Sequence, residues 1–155
     1  MKRKTLGAAL CALVASAALL LAADPNMGTW KLNEGKSKLS PGATKNNMVV
    51  YAAAGDSVKI TVDGVDADGK KVHHEWTGKY DGKDYAVTGD PTSDTRAYTK
   101  GADANTMTFV AKKGGKVTVN GKVVVAADGK SRTVSAEGVN AKGEKVSSSA
   151  VYDKQ

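Results

Sequence analysis

Beyond the first 23 residues, apolar and polar positions alternate in short runs, and turn-forming residues break the runs at short intervals. The clearest run pairs two arms. Val58, Ile60 and Val62 occupy one side of the first arm, with Lys59, Thr61 and Asp63 on the other. In the second arm Val72, His74, Trp76 and Tyr80 share a side opposite Lys71, His73, Glu75 and Lys79. Successive side chains of a strand point to opposite faces, so each arm can bury one face and wet the other. Asp66-Ala-Asp-Gly69 between the arms predicts a hairpin turn, with Gly69 supplying positive φ.

The same alternation predicts strands at 28–32, 47–54, 85–88, 95–100, around Met107, Phe109 and Ala111, and at 116–126, 132–139 and 146–152. Within 116–126, Val117, Val119, Val123 and Val125 are expected on one face. Segment 33–46, with Pro41-Gly42, reads as a polar connection with room for one helical turn. Residues 89–94 read as a longer loop, because Pro91 cannot donate to a ladder. No stretch keeps a helical period, so the chain reads as all-β, with about ten mostly hairpin-linked strands. Gly64-Val-Asp-Ala-Asp-Gly-Lys-Lys-Val72 matches Gly138-Val-Asn-Ala-Lys-Gly-Glu-Lys-Val146 at six of nine positions. A repeated turn is what a meander requires; a duplicated binding loop is the alternative.

Ten strands with one apolar face must cover that face. With hairpins throughout and no long crossover, the expected solution is a single up-and-down barrel of antiparallel strands, which also removes exposed edges. Several expected inward residues are small: Ala52, Ala54, Gly78, Ala111, Ala136, Ser148 and Ala150. Small linings in a wide barrel leave either an internal pocket or a thin, flattened tube.

Composition changes the picture mainly at the N-terminus. Lys2, Arg3 and Lys4 precede an apolar run from Leu6 to Leu21 and a small-residue Leu21-Ala-Ala23 site. This is the layout of a secretory signal peptide at 1–23, cut after Ala22 or Ala23, and it predicts a secreted or periplasmic product. The run is Ala-rich and barely long enough to span a bilayer, so no stable membrane insertion is expected after its removal. The formal charge of +7 includes those three cations, so removal leaves +4. The single cysteine, Cys11, also lies in the leader, so no disulfide is expected in the 24–155 domain.

Gly28-Thr-Trp-Lys-Leu32 resembles the opening Gly-x-Trp strand of lipocalins and fatty-acid-binding proteins. Ala150-Val-Tyr-Asp-Lys154 is similar to the last strand of the fatty-acid-binding proteins, and the whole 24–155 segment resembles secreted bacterial lipocalin-like proteins. The resemblance implies that Gly28 and Trp30 sit at the closed end of a barrel, with Trp30 beneath a basic residue from a late strand. Arg132 is the candidate, through a cation–π contact. It also implies a small, largely apolar ligand in the lumen, such as a lipid or fatty acid, and a monomer. Two departures limit the analogy. The position two residues before the final-strand Tyr152 is Ala150, where fatty-acid-binding proteins place an Arg that grips a carboxylate. Segment 33–46 is also too short and too rich in Gly, Pro and Ser for their helical pair.

Candidate ligand-binding residues are His74, Trp76, Arg96 and Tyr98. Arg96 and Tyr98 share a strand face. If that face is the lumen, they can bind an acidic head group; if it faces out, Arg96 is a solvated charge. His74 and Trp76 form either a polar and aromatic patch in a pocket or a satisfied core pair.

Other chemistry is poorly supported. His73 and His74 point to opposite sides of a strand, and His73 with Glu75 lacks a third metal ligand. Asp63, Asp66 and Asp68 fit turn chemistry better than a calcium loop. Gly64-x4-Gly69-Lys70 lacks the hydroxyl residue and the helix of a phosphate-binding loop. No nucleophile elbow occurs, and the cations are interleaved with Asp and Glu, not gathered with aromatics as nucleic-acid binding requires. The expectation is a non-enzymatic binder without cofactor or metal. A filled structural or protein-binding envelope module is the alternative.

Overall fold

The computed structural model describes residues 24–155. The leader reading of 1–23, its cleavage site and Cys11 lie outside the described residues. Eleven strands follow in order: β1 Gly28–Leu32, β2 Lys38–Leu39, β3 Lys45–Ala54, β4 Ser57–Val65, β5 Lys71–Gly78, β6 Tyr85–Thr88, β7 Thr95–Lys100, β8 Thr106–Lys113, β9 Lys116–Val125, β10 Ser131–Val139 and β11 Lys145–Lys154. A 3-10 turn at Glu34–Lys36 interrupts the first connection, capped where Asn33 Oδ1 accepts from Lys36 N at 3.2 Å.

From β3 to β11 each strand pairs with the next, antiparallel. β1 closes the ring by pairing with both neighbours: Gly28–Lys31 oppose β3, and Trp30–Leu32 oppose β11. The result is the ten-stranded up-and-down barrel that the alternation predicts. The two-residue β2 is an addition. It lies along β11 at Ser148 and Ser149, extending the line of β1 where that short strand has ended. The weakest wall surrounds β6, which shares two residue pairs with β5 and two with β7.

Alternation sets most of the lining, and two local features redirect it. In β3, Val49 and Tyr51 are buried, so Ala52 and Ala54 lie on the opposite parity and are exposed, contrary to the expectation from their size. In β9, a bulge lets Ala111 pair with Val119 while Lys112 pairs with Val117, leaving Thr118 as the extra residue. An extra residue shifts the side-chain parity. Val117 consequently leaves the face of Val119, Val123 and Val125 and is 53% exposed.

The end of the barrel where β1 begins is packed solid. Arg132 is buried, with its guanidinium carbon 4.7 Å from the Trp30 ring centre, 4.6 Å from Tyr51 and 5.2 Å from Tyr152. Three ring faces thus surround one cation. Trp30 Nε1 donates to the Asn26 carbonyl at 2.7 Å, which ties the entering chain across this end. Gly28 pairs with Tyr51 at the start of the same strand. A second aromatic group continues upward: Trp76 lies 4.7 Å from Tyr98 and 5.8 Å from Tyr85 between ring centres, and Tyr98 lies 5.6 Å from Phe109.

The repeated nonapeptides form the same turn. Asp66 N donates to Lys70 O and Asn140 N to Glu144 O, both at 2.9 Å, and Gly69 and Gly143 take φ of +78° and +79°. The leading glycines share a second role. A Cβ on Gly64 would overlap the Lys45 carbonyl oxygen, and one on Gly138 the Thr118 carbonyl oxygen, so each allows a neighbouring strand to approach. Both turns stand at the open end of the barrel, where Lys142 Nζ meets Asp68 Oδ1 at 3.0 Å.

Candidate functional site

Above the aromatic packing, at the end opposite Trp30, the barrel encloses a cavity of about 160 Å³. Its apolar wall includes Leu32, Val72, Phe109, Val119, Val134 and Ala150. Leu39, Ala43 and Thr44 from the first connection and Asp90, Pro91 and Thr92 from the 89–94 loop border its mouth. The first connection is held there because Asn140 Nδ2 donates to Gly42 O at 3.3 Å and Ser147 N donates to Ser40 Oγ at 2.9 Å.

One wall is polar, and it is built from the loop upward. Asp90 precedes Pro91, and the turn brings two hydroxyl residues back onto its carboxylate. Oδ1 accepts from Thr92 N at 2.8 Å and Thr92 Oγ1 at 2.7 Å, while Oδ2 accepts from Ser93 Oγ at 2.6 Å and Arg96 Nη2 at 2.9 Å. Burial opposes ionisation of Asp90, yet the hydrogen bonds of Ser93 and Thr92 and the charge of Arg96 outweigh it and hold the carboxyl below its ordinary range. Alternation on β7 puts Arg96 on the inner face with Tyr98. Its guanidinium is pinned by Asp90 and lies 5.6 Å from the centre of the Phe109 ring.

His74 projects from β5 into the same space and is 7% exposed. Burial, followed by the charge of Arg96, pushes its imidazole down to about 4, so the ring is neutral at neutral pH. Among the described residues, three buried polar atoms of this wall have no hydrogen-bond partner: Arg96 Nε, His74 Nε2 and Asn46 Oδ1. All three atoms are packed within the wall with almost no accessible surface, so the cavity meets other atoms of these residues.

The four predicted ligand-binding residues divide into two pairs. His74 and Arg96 line the cavity. Trp76 and Tyr98 lie beneath it, 1% and 3% exposed, and belong to the aromatic packing. Trp76 nonetheless supports the site from below, since its Nε1 donates to the Arg96 carbonyl at 2.9 Å. Asp90 and Asn46 escaped the sequence reading. The signal for Asp90 was an acidic residue followed by Pro-Thr-Ser, which in isolation reads only as a turn. Asn46 gave no signal beyond a polar residue near a strand start.

His73 sits outside the barrel, where Nδ1 lies 2.6 Å from Asp63 Oδ1 and Nε2 lies 3.8 Å from Glu75 Oε1. Among the described residues, no group of three or more His, Cys, Asp or Glu side chains is placed to hold a metal ion.

No protein family and no curated protein matches the sequence. Among solved structures, the chain is similar to EF1p2_mFAP2b bound to DFHBI, at 13% identity over 86% of this chain and 97% of that one, with a TM-score of 0.46. It is also similar to a redesigned beta barrel, mFAP1, bound to DFHBI, at 14% identity over 86% of this chain and 98% of that one, with a TM-score of 0.43.

Proposed function

We propose that this is a lipocalin-like binding protein that takes one small, largely apolar molecule into the open half of its barrel and does not transform it. The observation that carries the reading is the cavity itself, lined mostly by apolar side chains with His74, Asp90 and Arg96 on one side. Ligand sites have this composition: mostly apolar surface gives affinity, and a few polar groups fix orientation. Access is at the end bordered by the 89–94 loop and the first connection, both of which can yield without breaking the ten-stranded ring.

The volume narrows the ligand. A cavity of about 160 Å³ is below the usual range for drug-sized ligands, and cavities near 150 Å³ hold a molecule the size of benzene. A compound with one ring or a short branched chain fits; a long fatty acid would have to displace the aromatic packing. The leader expected at 1–23 supports a secreted or periplasmic carrier. Intact-mass measurement of exported protein would distinguish cleavage after Ala22 from cleavage after Ala23.

A filled structural module is the second reading, and the solid packing from Arg132 to Phe109 favours it. Ala136→Leu separates the two. Ala136 lines the cavity, so a larger side chain there should abolish binding of small cyclic probes while leaving the unfolding midpoint unchanged or higher. A wild-type protein that shows no chemical-shift perturbation with any such probe would leave the structural module as the better account.

A further inference from the structure

We propose that the ligand enters and leaves through a slot in the barrel wall between β2 and the start of β3, held shut by two surface ion pairs, Glu34–Lys45 and Asp68–Lys142. The inference rests on the lumen-binding reading above and specifies the route of exchange.

The slot follows from the shortness of β1. That strand pairs with β3 only from Gly28 to Lys31, opposite Tyr51 to Met48. The first residues of β3, Lys45 to Asn47, extend beyond it beside β4, with no strand on their other side. Across the gap, the first connection is stitched to β11. Asn33 N donates to Val151 O at 2.8 Å, Val151 N to Ser37 Oγ at 2.9 Å, and Ser40 N to Ser147 O at 2.9 Å. β2 pairs with β11 and ends the strand order there. Among the described residues, no backbone hydrogen bond joins β2 to β3. A stretch of wall without ladder bonds is where a barrel opens at low free energy. Cavity-lining residues stand on both banks, Leu32 and Leu39 on one, Thr44 and Asn46 on the other.

Apart from the chain at 40–44, what crosses the slot is electrostatic. Lys45 Nζ meets Glu34 Oε2 at 2.9 Å. Beyond it the two repeated turns meet, with Lys142 Nζ 3.0 Å from Asp68 Oδ1. The 66–70 turn is carried by β4, which pairs with β3 as far as Lys45. The 140–144 turn is carried by β10 and β11, and Asn140 docks the first connection through Gly42 O. The internal repeat thus supplies the two jaws of one clasp. All four charged side chains are at least 44% exposed, so both pairs are weak and are screened by salt. The 89–94 loop is fixed by comparison, since Thr92, Ser93 and Arg96 hold Asp90 and Ser93 is buried.

The test places nitroxide labels on the two turns, at Ala67→Cys and Ala141→Cys, in the full chain carrying Cys11→Ser so that no other thiol is present. Label separations are read by pulsed electron resonance at about 20 mM and about 500 mM NaCl, which bracket the screening of surface charges. One short separation is expected at low salt. A longer population is expected at high salt, and at low salt in Lys142→Glu. Asp68→Lys combined with Lys142→Glu should restore the short separation. Separations that stay the same in high salt would overturn the proposal without reference to any ligand, and that arm needs no charge variant to fold. The second arm follows toluene exchange by NMR. Lys142→Glu and Lys45→Glu should each raise the association and dissociation rate constants together by about threefold, as loss of one exposed pair allows, with affinity unchanged. Separations that widen while these rates stay fixed would overturn the slot as the route and leave lumen binding intact. No toluene binding in wild type or any variant would overturn the lumen reading and the route with it, while the separations would still report whether the slot opens.

Discussion

Arg96 Nη2 donates to Asp90 Oδ2 at 2.9 Å, with the two side chains 13% and 7% exposed. The two residues are separated by one loop and one strand start, so a short stretch of chain supplies both charges of the cavity wall. Their pairing makes an inward Arg tolerable, because each charge answers the other away from water.

Breaking that pair should be expensive. Asp90→Asn leaves a largely buried guanidinium uncompensated, and the expected loss is about 3 kcal/mol, read from urea unfolding. Adding Arg96→Met to Asp90→Asn should recover part of the loss, because the second change removes the stranded charge. A double variant less stable than Asp90→Asn would show that the pair is not the source of the cost.

Acid should destabilise the protein through His74. Its folded-state value, about 4, lies below the ordinary histidine value, so the unfolded chain binds the proton first. The stability of the neutral ring is complete above about pH 6.5, declines as pH falls, and is lost below about pH 4, for a total of about 3 kcal/mol. His74→Gln should flatten that part of the stability profile. Asp90, held below its ordinary value, adds a separate loss at still lower pH, as acidification passes through its lowered folded value.

Trp76→Phe should reduce stability more than affinity. The ring is packed below the cavity against Tyr80, Tyr85 and Tyr98, and its Nε1 supports the Arg96 carbonyl. Loss of that donor and of ring volume should cost about 2 kcal/mol. Probe affinity should change less than threefold, measured by calorimetry on the folded variant.

Arg132 separates charge from packing at the closed end. The cation gains from three ring faces but is buried with no carboxylate among the described residues in salt-bridge range, and these effects oppose each other. Arg132→Met, which keeps most of the volume, should stay within about 1 kcal/mol of wild type. Arg132→Ala opens a cavity between Trp30, Tyr51 and Tyr152 and should cost about 3 kcal/mol. Equal losses in the two variants would mean that the charge, and not the packing, carries the stability.

The strand order and most inward positions were legible in the chain because side-chain alternation is a local property, written by neighbours two residues apart. Val58, Ile60, Val62 and Trp76 fall where the pattern puts them. The pattern fails at Val117, where a bulge adds a residue, and small size is no guide to inward direction at Ala52 and Ala54. The bulge depends on a partner strand and leaves no mark on its own, whereas Ala52 and Ala54 simply follow the parity set by Val49 and Tyr51.

The candidate site was half legible for the same reason. Alternation alone brought His74 and Arg96 to the inner face, but it also brought Trp76 and Tyr98, and it contains no measure of height along the barrel axis. Only the closed ring decides that the second pair lies under the cavity and the first pair in its wall. Asp90 and Asn46 join them from a loop and from a strand one removed from β5, across distances in sequence that no local pattern spans. By itself the sequence determined an all-β chain of hairpins with apolar inner faces, because each strand and turn is specified by residues close together. Tertiary closure decided how much of the interior is filled and which polar atoms stay unpaired, because volume and hydrogen-bond satisfaction are properties of all ten walls at once.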